Sequence, residues 1–68
     1  MDEDKIKDYM QRIEKIKPYW VKHNSEHINE HEEWRQEAED LGLIEIADKL
    51  AKLIDNLEQA NECIRSIG

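Results

Sequence analysis

Every imidazole of the chain lies between residues 23 and 31, as His23, His27 and His31, each four residues from the next. Two imidazoles at that spacing on one helix can chelate a single cation, so metal ligation is the first chemistry the pattern suggests. A helix rises about 1.5 Å per residue, which separates His23 from His31 by on the order of 12 Å. One ion therefore cannot take all three, and His27 must pair with His23 or with His31. Glu30, three residues from His27 on the same side, adds an oxygen donor. The remaining ligands would come from a second chain related by a two-fold axis. Asn24, Glu26 and Asn61 are candidates for the hydrogen bonds that orient ligating imidazoles. Nitrogen and oxygen donors with no thiolate in the row favour nickel or cobalt, with zinc or copper also open.

His23–Glu26–His27 and His27–Glu30–His31 both read H-x-x-E-H, the order of the inverted zinc peptidases, in which the glutamate is the general base. A chain of 68 residues has little room for a substrate cleft, and no distant acidic third ligand is evident. The expectation is a binding protein, not an enzyme.

The elements that must position these side chains are helical. Glycine occurs twice and proline once, phenylalanine is absent, and good helix formers dominate. Pro18 and Gly42 divide the chain into three predicted helices, at 2–17, 18–41 and 43–67. Asp2, Glu3 and Asp4 at the start of the first, and Lys15 and Lys17 at its end, complement a helix dipole. Proline is favoured in a first helical turn and disfavoured inside a helix, so a break is expected near Lys17, with one long kinked helix as the alternative. Gly42 is a suitable terminator in the left-handed conformation. Its short link makes the second and third helices an antiparallel hairpin. In the third, Ile46, Leu50, Leu53, Leu57, Ala60, Ile64 and Ile67 alternate at steps of four and three, a bundle-type apolar stripe.

On the middle helix Trp20, His23, His27, His31, Trp34, Ala38 and Leu41 share one arc, with Glu30 at its edge. The histidines are thus expected in the seam of the hairpin, His31 near Leu53, His27 near Leu57 and His23 near Ala60 and Asn61. Leucines cannot satisfy buried ring nitrogens; a metal, a water, Glu30, Asn61 or histidines from a second chain would have to. A metal-free alternative is a helical dimerisation module whose buried histidine layer makes it sensitive to pH.

Composition excludes several classes. A net charge of -7, with 40% charged residues, repels phosphate backbones and argues against nucleic-acid binding. No apolar run approaches membrane-spanning length. The acidic start MDEDKIKDYM is unlike an export signal, and one cysteine, Cys63, cannot make a disulfide framework. A cytoplasmic location is expected. A lone domain of this size is marginal and usually needs a metal, a partner chain or very good packing.

The stretch PYWVKHNSEHINEHEEW, with Ala60 and Asn61 further on, resembles a family of small uncharacterised helical domains of bacteria and archaea. Members occur alone or joined to nickel and cobalt uptake components. The residues that carry the likeness are Pro18, Trp20, His23, Asn24, Glu26, His27, Trp34, Gly42, Ala60 and Asn61, across the second and third segments. The resemblance implies a helical hairpin with a metal-linked role and singles out His23 and His27 as the pair; His31 stands where an aromatic residue is more usual.

The resulting expectation is an all-α protein of one domain, 1–68, a helical hairpin plus an N-terminal helix, assembled as a homodimeric bundle. It would bind, buffer or deliver a divalent transition metal through His23, His27, His31 and Glu30. Its partners would be a second copy and a metal-uptake or metalloenzyme-maturation protein.

Overall fold

The computed structural model describes residues 2–68 and contains two helices, α1 over Glu3–Asp40 and α2 over Ile44–Arg65. They pack side by side as an antiparallel hairpin measuring 60 × 15 × 12 Å.

The expected break near Lys17 is absent. Pro18 lies inside α1, so the predicted helices 2–17 and 18–41 are one element and no separate N-terminal helix exists. An interior proline forgoes one backbone hydrogen bond and costs about 3 kcal/mol. The apolar pattern nevertheless runs through it unbroken. Ile6, Tyr9, Ile13, Ile16 and Trp20 step by three and four straight through position 18. A broken helix would throw the two halves of that stripe out of phase. Pro18 itself is exposed, on the opposite side from the stripe, beside Glu14, Val21 and Arg65.

The turn forms as the glycine predicts. Gly42 has φ +75°. The Leu43 amide donates to the Ala38 carbonyl at 2.8 Å and the Gly42 amide to the Glu39 carbonyl at 3.0 Å. These are the two bonds of a Schellman motif, which satisfies carbonyls that the end of α1 leaves free. Leu43 and Ala38 line the same apolar depression at the turn, the hydrophobic contact that accompanies the motif. At the far end the Ser66 hydroxyl donates to the Cys63 carbonyl at 2.7 Å, and Arg65 lies in the last turn of α2, where its charge suits the dipole.

The seam differs from the one expected. Along α1 the less exposed residues include Lys17, Val21, Asn24, Ile28, His31, Arg35 and Ala38; along α2 they include Ala47, Leu50, Ile54, Leu57, Asn61 and Ile64. Both rows alternate steps of three and four, the heptad spacing of a two-helix coiled coil. Trp20, His23, His27 and Trp34 are all exposed, so of the expected imidazole seam only His31 is retained. α1 carries two adjacent heptad rows, and the row chosen for the seam is the more polar of them. Its polar members are bonded. Asn61, 4% exposed, accepts from Asn24 Nδ2 at 3.0 Å and donates to Ser25 Oγ at 3.5 Å. Arg35 holds Glu32 at 2.8 Å and Glu39 at 2.6 Å. The Glu32 hydrogen bond and the charges of both carboxylates push the Arg35 pKa up, against an opposing pull from desolvation. Lys17 donates to Glu14 and, across the seam, to the Ile67 carbonyl.

The core between the helices is thin. Among the described residues its buried apolar side chains are Ala38, Ala47 and Ile54, two of them alanines. Ile6, Tyr9, Met10, Trp34, Ile46 and Leu53 stay exposed. α2 ends before α1 does: Ile67 and Gly68 reach Tyr9, Met10, Ile13 and Glu14, and the first turns of α1 project past them.

Candidate metal site

His23 and His27 are one helical turn apart on the exposed flank of α1, next to the seam. Their rings are nearly perpendicular, with centroids 4.6 Å apart, and their Nε2 atoms face each other at 3.2 Å. Two nitrogens at that distance share one proton between them, one ring donating and the other accepting. The same two lone pairs could instead converge on one cation. Imidazole nitrogens bind a divalent ion at about 2.0–2.1 Å, so two of them on adjacent tetrahedral positions sit about 3.3 Å apart, and at right angles about 2.9 Å apart. The observed separation falls inside that range.

Two groups flank the pair. Glu30 Oε2 lies 3.6 Å from His27 Nδ1, a salt-bridge distance slightly too long for a hydrogen bond. Tyr19 stacks on His23 at 6.3 Å with an interplanar angle of 11°. That partner was not singled out from the sequence, although its position four residues before His23 is the signal that would find it.

The other candidates fall elsewhere. Of the two pairings open to His27, the structure makes the one with His23. His31 lies with its ring centroid 6.1 Å from that of His27 and nearly parallel to it, half-buried at the edge of the seam. Asn24 and Asn61 bond to each other and, through Asn61, to Ser25, so they orient the helices and not the imidazoles. Glu26 is exposed and makes no hydrogen bond or ion pair among the described residues. Cys63 is exposed and free. Among the described residues no three His, Cys, Asp or Glu side chains gather closely enough to enclose an ion. On one chain His23 and His27 form an exposed pair of imidazoles with the Glu30 carboxylate beside one of them. Among the described residues no helix is long and apolar enough to cross a membrane.

A family model described as "Domain of unknown function (DUF8180)" matches residues 13–67. No curated protein and no solved structure shows a significant match to the chain.

Proposed function

The chain belongs to this domain family of unknown function, and from the geometry of its own imidazoles we propose that it binds a divalent transition-metal ion for buffering or delivery, without catalysing a reaction. The observation that carries this is the 3.2 Å approach of His23 Nε2 and His27 Nε2, a bite that suits one ion. Glu30 beside His27 Nδ1 supports it, as does a surface with net charge -7, which concentrates cations. Imidazole and carboxylate donors favour nickel or cobalt, with zinc and copper as competitors. The setting we propose is cytoplasmic, with a metal-uptake or metalloenzyme-maturation protein as the recipient or source of the ion.

The test is calorimetric titration of the apo-protein with nickel, cobalt, zinc and copper, beside His27→Ala. The wild type is expected to bind at least one of these ions more than about tenfold tighter than the variant, a difference of about 1.4 kcal/mol. Binding should release protons, and affinity should fall as the solution is acidified, because an imidazolium has no lone pair to give. Equal binding by wild type and variant for all four ions would end the proposal.

A second use of the same surface is supported by the large exposed side chains Trp34, Ile46 and Leu53. A metal-free helical dimerisation module would cover them. Its histidine layer would be buried by the assembly, since the single chain leaves His23 and His27 exposed.

A further inference from the structure

We infer that the His23–His27 pair takes a divalent ion already held by a small uncharged chelator, a cationic complex with two adjacent coordination positions open. This rests on the metal reading above and adds what accompanies the ion.

The pair supplies two donors. His23 Nε2 and His27 Nε2 approach to 3.2 Å. Metal–imidazole bonds of about 2.0–2.1 Å put adjacent ligand positions about 2.9 Å apart at right angles and opposite positions about 4.1 Å apart. The pair therefore fits two adjacent positions and not two opposite ones. Glu30 meets His27 at Nδ1, 3.6 Å away, the ring nitrogen that the pair does not use. His31 lies nearly parallel to His27 with the ring centroids 6.1 Å apart. Among the described residues no three His, Cys, Asp or Glu side chains gather into one site.

Two donors leave most of the shell to other ligands, since ions of this kind take about four to six. A bare ion bound here would fill the remainder with water. Its two protein bonds would then stand against the larger number that a multidentate chelator makes. An ion that is already chelated, with two adjacent positions free, avoids that contest. Its existing bonds stay made, and the two imidazoles replace two waters. Both imidazoles stand on one helix, so the second bond forms at high effective concentration once the first is made. His23 is exposed and the His27 side chain is 46% exposed, which gives a bulky complex room to approach from the solvent side.

The charge around the pair selects the sign of the complex. From residue 22 to residue 33, Glu26, Glu30, Glu32 and Glu33 stand against Lys22 alone. Glu32 is paired with Arg35 at 2.8 Å. At about 100° of rotation per residue, Glu26 and Glu30 lie beside the pair on the flank away from the seam, and both are exposed. A complex built from uncharged donors keeps the ion's double positive charge and is drawn to these carboxylates. A complex whose chelator carries carboxylates of its own is repelled.

The test compares nickel as the aquo ion with nickel in chelated forms. Tris(2-aminoethyl)amine leaves two adjacent positions and a double positive charge. Nitrilotriacetate leaves the same positions and a negative charge. Ethylenediaminetetraacetate leaves no adjacent pair open. Calorimetry gives the affinities, and mass spectrometry of the intact complex reads what is bound. The tris(2-aminoethyl)amine complex should bind one per chain with the amine retained. His23→Ala and His27→Ala, both at exposed helical positions, should each weaken it at least about tenfold by removing one of two linked bonds. It should bind at least about threefold tighter than the nitrilotriacetate complex at low salt, and that ratio should shrink in Glu26→Gln/Glu30→Gln and at high salt. The ethylenediaminetetraacetate complex should not bind. Aquo nickel held by the pair with no uptake of the amine complex, or uptake with loss of the amine, would overturn the inference and leave the metal reading standing. A ratio that neither the double variant nor salt changes would overturn the preference for a cation. Binding of neither aquo nickel nor the amine complex would overturn the inference and the metal reading together.

Discussion

The Asn24–Asn61 bond offers the sharpest test of the hairpin's register. Replacing Asn24 by Ala removes the donor that Asn61 Oδ1 receives at 3.0 Å. Asn61 is 4% exposed, so water cannot easily take the donor's place, and a buried acceptor left unmade costs about 1–3 kcal/mol. The reverse change, Asn61→Ala, leaves Asn24 only half-buried and within reach of water. Its cost should sit at the low end, about 1 kcal/mol plus whatever small cavity remains. Two residues in direct contact should couple, so the double variant should be more stable than the sum of the singles implies by about 1 kcal/mol. In a domain of this length each kcal/mol moves Tm by about 4–8 °C. The assay is urea unfolding followed by helical circular dichroism at one fixed protein concentration, because self-association would shift the midpoints. Additive single changes, or an Asn24→Ala variant within about 0.3 kcal/mol of wild type, would refute the claim that this pair is a buried hydrogen bond. Replacing both by leucine should hold or raise stability while loosening the choice of register, as happens when a buried polar layer is removed from a coiled coil.

Other expectations follow from the same geometry. Gly42→Ala should lower stability by roughly 1–2 kcal/mol through the left-handed backbone alone, since a Cβ there meets nothing within 4 Å; Gly42→Asn should cost less, and thermal melts rank the three. Pro18→Ala should stabilise the chain by up to about 3 kcal/mol, because it restores an interior amide in a helix that is already continuous; a destabilised variant in urea unfolding would mean that the proline shapes α1 in a way its exposed position does not suggest.

The helical class, the antiparallel hairpin and the Gly42 terminator are legible in the sequence because each rests on local chemistry: propensity, a short link and a residue that tolerates positive φ. Two features are not. Pro18 reads as a boundary by local rules, whereas the phase of Ile6, Tyr9, Ile13, Ile16 and Trp20 across it holds the information that α1 continues. The seam is concealed by polarity. Trp20 and Trp34 are large and apolar and invite the core, yet the helices meet along Val21, Ile28 and Ala38 with Asn24 and Arg35 interleaved. Polar seam residues are recognisable only with their partners, Asn61 for one and Glu32 and Glu39 for the other, and the first of those lies on the opposite helix. The site follows the same division. The i, i+4 spacing of His23 and His27 is a local property, and it brings the two rings into contact, while the roles expected of Asn24 and Asn61 depend on which face of α1 meets α2.

The elongation of the hairpin bears on how its size is measured. A compact chain of this length would have a radius of gyration of about 11 Å, whereas this one has 17.1 Å. Friction in solution follows the long dimension, so a single copy migrates through a sizing matrix as a much heavier sphere would. Retention calibrated with round standards would thus credit a lone hairpin with a partner it does not have, and only a shape-independent mass can count the chains.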